Sequence, residues 1–182
     1  MTKQDKIDKA LMWAKAQLGK YVQPCSTSGC KYNLIQSGSI ACKTANPAAE
    51  ADDINKGDAE DGHPLWNFYC MRFVRTAYGV PSEYPKAENM YQALKQKGAI
   101  NMDNGIPAGA LVFWHWTSFG HIGIYTGDGK VIHTGVNPQL KRKGIRESPL
   151  QEITEVMDGY NKIGEQIPSY LGWAHPPENW LV

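Results

Sequence analysis

The run "HIGIYTGDGKVIHT", residues 121–134, constrains this chain more than any other stretch. Two segments rich in β-branched and aromatic residues flank Gly127-Asp128-Gly129. A short loop whose glycine can take the left-handed conformation is hairpin chemistry, so the pattern predicts an antiparallel pair of strands. A three-residue loop sets Thr126 opposite Lys130, and therefore Gly123 opposite His133, with His121 one diagonal away. Both imidazoles then rise from one face of the sheet, their side-chain bases about 7 Å apart or less. A slip of one residue would part them. Gly120 and Gly123 leave room beside His121 for a close approach.

Helices precede this hairpin. Ile7, Leu11, Ala14 and Leu18 recur at helical spacing, predicting a helix over 4–18 that Gly19 can end. Cys70, Phe73, Val74, Ala77 and Tyr78 fall on one stripe of a second helix, closed by Gly79 and Pro81. Residues 86–97 read as a third, with Gly98 at its end. After "NGIPAG" the pattern turns to strands: 110–116, the two arms of the hairpin, and a tail strand in "YLGWAHP". Helices first and antiparallel strands after make an α+β architecture.

From Cys25 to about Gly62 the periodicity disappears into turn formers and acids, which predicts a long loop or an inserted subregion. The acidic run 50–61 is most simply a solvated face. Cys25, Cys30 and Cys42 crowd together there. They allow a disulfide, or zinc with His63, but the spacings match no standard zinc site and cysteines of no special role are the simplest reading. Trp66, Trp114, Trp116 and Trp173 are candidates for lining a groove, although alternation along strands puts some of them in the core.

With 182 residues, 42% of them hydrophobic, the chain can bury one ordinary core and is expected to be a single domain with an insertion over about 25–62. A net charge of +1 excludes nucleic acid as the main partner, since phosphate binding needs a basic surplus. No run reaches the length of a membrane span, so stable membrane insertion is not expected. The opening "MTKQDKIDKALMWAKAQLGK" lacks the apolar core of a secretory signal. Synthesis in a cytoplasm, with export by a route that cleaves no signal, is the expectation.

Cys70 stands where a helix begins. A free thiol has a pKa of about 8.5, and helix-terminal amides with an adjacent imidazolium favour the nucleophilic thiolate. A helix-opening cysteine and two same-face histidines are the parts of a nucleophile, a base and an orienting group. Taken singly, such a cysteine is more simply a core residue, and a strand histidine a satisfied one. Taken together they outweigh that reading.

"YCMRFVRTAYGV" followed by "GIPAGALVFW" and "GHIGIYTGDGKVIHTG" resembles the NlpC-type cell-wall cysteine peptidases, a papain-like family. The resemblance implies N-terminal helices packed on a central antiparallel sheet and a Cys–His–His triad, with Cys70 as nucleophile, His121 as base and His133 as the third polar residue. It also matches Tyr21 to a tyrosine whose hydroxyl serves the oxyanion site. Tyr69 and Trp116 join Tyr21 as candidate oxyanion or substrate-binding residues. No cofactor or metal is implied. Three departures stand out. Tyr69-Cys70-Met71-Arg72 replaces the family's "DCSG", whose acid and serine bind the free amine of the stem peptide. About 40 residues are inserted between Tyr21 and Cys70, and Ala108-Gly109-Ala110 replaces "PGD". The function expected is hydrolysis of an amide bond in bacterial peptidoglycan, by a stem-peptide endopeptidase or an amidase. The missing signal fits a secreted antibacterial effector or a lysin acting in the periplasm or cell wall of a target bacterium, with a cognate immunity protein as a partner. Two alternatives stay open: a papain-like protease, deamidase or acyltransferase acting on protein or lipid, and an inert binding module.

Overall fold

The computed structural model describes residues 1–19, 21–24, 32–36, 39–41, 70–81, 83–134, 145–161 and 168–182. Helix α1, Lys3–Lys15, starts with a capping box. The Thr2 hydroxyl accepts from the Asp5 amide at 3.1 Å, and the Asp5 carboxylate accepts from the Thr2 amide at 2.6 Å. Such a cap is worth about 1 kcal/mol. The helix ends earlier than the apolar spacing predicts. Residues 16–19 form turns, and Gly19, at φ 78°, donates its N–H to Ile145 O at 2.9 Å. That tertiary hydrogen bond takes the chain off the helix axis. Helix α2 is Cys70–Tyr78 and helix α3 is Ala87–Gln96, close to the expected bounds.

The central sheet has five strands, β4 (Leu111–Trp114), β5 (His121–Tyr125), β6 (Lys130–Thr134), β7 (Ile145–Pro149) and β8 (Tyr170–Ala174). They lie in the order β7-β6-β5-β4-β8, antiparallel throughout. Ahead of them β1 (Tyr21–Pro24), β2 (Tyr32–Gln36) and β3 (Ser39–Ala41) form a separate antiparallel sheet. Strands β2 and β3 fall within the segment whose turn formers predict a loop or inserted subregion; residues 42–69 lie outside the described residues.

The sheet is buried on both faces. On one, Leu111, Phe113, Ile122, Ile124 and Ile132 pack with Ala14, Phe73, Val74, Met90 and Leu94 of the three N-terminal helices. On the other, Val112, Trp114, Val131 and Trp173 lie under Ile153 and Met157 of helix α4, Leu150–Asn161. Strand alternation divides β4 between the two cores. The architecture is α+β, with helices packed on a central antiparallel sheet. Neither β7 nor α4 is among the elements expected from the sequence. Strand β7 is an edge strand reading Ile-Arg-Glu-Ser-Pro, and its single large apolar residue gives no alternation to detect.

Candidate active site

The hairpin register is the one the loop length demands. Thr126 N–H donates to Lys130 O at 3.0 Å, and Gly123 faces His133. A Cβ on Gly123 would lie 2.4 Å from Val131 Cγ1 and 3.1 Å from His133 Cβ, so only glycine lets β6 seat the histidine there. His121 begins β5, and the turn before it is held from outside. Glu88 N–H at the start of α3 donates to Phe119 O at 3.0 Å, and Gly120, at φ 67°, packs against the Glu88 backbone, where a Cβ would come within 2.8 Å. Gly120 N–H also closes onto Trp116 O at 2.9 Å.

These constraints bring the two imidazoles together. His121 Nε2 lies 3.1 Å from His133 Nδ1, with the rings nearly perpendicular at 83°. Both are buried, 0% and 4% exposed. Their remaining nitrogens, His121 Nδ1 and His133 Nε2, are buried without a hydrogen-bond partner. Trp114 lies against the His121 ring at a centroid distance of 5.7 Å, and Trp116 meets it edge-on at 6.4 Å. The Trp114 indole is tethered in turn, its Nε1–H donating to Thr154 Oγ1 of α4 at 3.0 Å.

Cys70 opens α2, a free thiol 4% exposed on the side that packs. Backbone amides of Ile122, Met71 and Cys70 itself direct hydrogen bonds at the sulfur. Ile122 follows His121 directly, so the thiol lies against the strand that carries that ring. Burial nonetheless outweighs the amides and pushes the thiol up to about 11. Burial, and next the neighbouring His133, hold His121 well below the ordinary imidazole value. His133 is lowered to about 4, chiefly by burial and then by the Arg146 guanidinium. At neutral pH the resting site therefore holds an uncharged thiol and two uncharged rings.

Neutrality leaves the ring pair two tautomers, because one proton must lie between Nε2 and Nδ1. If His121 donates through Nε2, its Nδ1 carries a lone pair and can take a proton, while His133 keeps its own on Nε2. The reverse arrangement leaves His121 with no basic nitrogen. Only the first can act as a base.

Of the other candidates, Trp116 is buried at 8% exposure and shares the α4-side core with Trp114 and Trp173, which places these three indoles in packing instead of an open groove. Tyr21 starts β1 opposite Ile35 in the backbone pairing. Its side chain, with Tyr69, Trp66, Cys25, Cys30, Cys42 and His63, lies outside what the structure describes. Arg146, directly opposite His133 on β7, escapes sequence reading because β7 itself does. A polar edge segment read as the next strand of the meander would have exposed it.

No helix among the described residues is long and apolar enough to cross a membrane. No curated protein matches the chain. The NlpC/P60 family model matches residues 51–157, a span that holds the thiol, both imidazoles and Arg146. With more than half of its length matched, the chain belongs to the NlpC/P60 family, papain-like cysteine hydrolases of the cell wall.

Proposed function

We propose that Cys70, His121 and His133 are the nucleophile, base and orienting residue of a hydrolase that cleaves an amide bond in bacterial peptidoglycan, as a stem-peptide endopeptidase or an amidase. The observation that carries this reading is the 3.1 Å contact between His121 Nε2 and His133 Nδ1, which leaves His121 Nδ1 open as a base. The chain is read as one catalytic domain with an insertion over about 25–62.

In the proposed cycle, the Sγ proton passes to His121 Nδ1, which makes no hydrogen bond to the sulfur in the resting site, as the sulfur attacks the scissile carbonyl. The backbone N–H at the start of α2 donates a hydrogen bond to the oxyanion; a lost donor of this kind costs roughly 3–4 kcal/mol. His121 then returns the proton to the leaving amine, and a thioester remains. Water, deprotonated by the same nitrogen, hydrolyses it. Because thiol and ring both rest uncharged, the ion pair forms as substrate enters instead of being stored beforehand. Action in the wall or periplasm of a target bacterium, as an effector with a cognate immunity protein or as a lysin, belongs to the same proposal.

The test is digestion of purified sacculi, with released fragments identified by mass spectrometry beside Cys70→Ala. New amine termini from the unaltered protein alone are expected. No release, or equal release by the variant, refutes the proposal. One observation favours a second reading, a papain-like enzyme acting on protein or lipid. Met71, where the family's amine-binding serine stands, is buried at the start of α2 and offers no hydroxyl. Cleavage or acyl transfer on such substrates, with sacculi intact, would select it.

A further inference from the structure

Arg146 stands directly opposite His133 across the β6–β7 pair. Paired residues of an antiparallel ladder share a face, with Cβ atoms about 4.5–5.5 Å apart. The guanidinium side chain therefore rises beside the His133 ring, on the side of the sheet where that ring meets His121. It is permanently charged, partly buried, and engaged in an interaction of its own.

Among the described residues, the other surroundings of His133 are nearly free of charge. From β5 it meets His121 and Gly123. Helix α4 covers this face with Ile153 and Met157. Of the acids on α4, Asp158 is bonded to Ser169, Glu155 to Gln151, and Glu152 is engaged as well. From α2 the uncharged Cys70 thiol meets the β5 backbone at Ile122. After burial itself, Arg146 is the charge that acts on His133, whereas His121 responds to His133.

A ring pair of this kind poses a choice during turnover. When the S–H bond breaks and an Nδ1–H bond forms, His121 becomes an imidazolium whose Nε2–H points at His133 Nδ1. If that second proton stays, the positive charge remains on His121. If it crosses, the charge moves to His133 and His121 is left as a neutral ring with its proton on Nδ1, a far weaker acid toward a leaving amine. No proton is gained or lost either way; only its address changes.

We infer that Arg146 is a positioning residue that helps keep the transferred charge on His121, by raising the cost of protonating His133. The inference rests on the reading of Cys70 and His121 as nucleophile and base. It adds a residue outside the triad and gives the edge strand a task in the chemistry.

The test compares Arg146→Met, which keeps the stem and removes the charge, with Arg146→Lys, which keeps the charge. Nitrogen-15 resonances of the imidazoles are followed against pH in each full-length protein. The expected result is a His133 midpoint about one pH unit higher or more in the Met variant, restored in the Lys variant. The acid limb of sacculus hydrolysis should move to higher pH with it. An unmoved midpoint in Arg146→Met overturns the inference. A Lys variant that behaves as Met does so too, because packing and not charge would then be responsible. Arg146→Gln carries the same comparison if the Met variant does not fold. The ring titration needs no substrate, so the two readings fail separately. Intact sacculi with the expected titration would sink the cell-wall function and leave the electrostatic assignment standing.

Discussion

Lowering the pH from 7 to 4 should destabilise the fold through His133, by an amount the structure sets. The buried ring has its pKa lowered from 6.5 to about 4, by burial first and Arg146 second. In the unfolded chain the same ring takes up a proton near its ordinary value. Between those two values the unfolded state binds more protons than the folded one, so stability falls as pH falls. The contribution is whole above 6.5, and its loss runs down to about 4. A tenfold difference in proton affinity is about 1.4 kcal/mol, which puts the loss near 3 kcal/mol by pH 4. That is a sizeable part of the roughly 5–15 kcal/mol that holds a domain folded. The assay is urea unfolding followed by tryptophan fluorescence at both pH values, for the unaltered protein and His133→Gln. The variant removes the titrating ring and keeps a polar group near His121 Nε2. Carboxylate titrations are common to both proteins and cancel in the comparison. The unaltered protein should lose about 3 kcal/mol more than the variant over this range. Parallel losses would refute the reasoning, for they would mean that His133 titrates alike in the folded and unfolded chains.

Two further outcomes follow from the same geometry. Alkylation of Cys70 by iodoacetamide at pH 8, read by peptide mapping, should lag that of an unstructured thiol, because burial raises it to about 11; a rate equal to that of the denatured protein would contradict the closed resting site. Gly123→Ala should lower stability by about 1–3 kcal/mol in thermal unfolding, since its methyl would meet Val131 Cγ1 at 2.4 Å, and it should abolish sacculus hydrolysis by pushing β6 and His133 away. Unchanged stability and activity would show that the hairpin yields at this point.

What could be read without coordinates is the part of the molecule in which few residues decide the geometry. The loop between β5 and β6 is short enough to fix which residues face each other, so the two histidines could be put on one face from their numbers alone. The stripe through Cys70, Phe73, Val74 and Tyr78 likewise placed the thiol on the packed side of α2. The apolar spacing also announced α1, although where that helix stops depends on Gly19 reaching Ile145. That contact joins residues far apart in the chain, and no local pattern announces it.

The face on which the imidazoles meet was closed by elements that local pattern did not reveal. Leu150, Ile153 and Met157 do recur at helical spacing. That they form a lid over Trp114 and Val131 depends on β7 pairing with β6 and carrying the chain back across the sheet. The same pairing brings Arg146 to His133. Short-range sequence thus determined the helix-opening thiol and set the two rings on one side of the sheet. Their protonation states were decided only by tertiary structure, because burial and the field of a distant cation depend on what the rest of the chain folds around them.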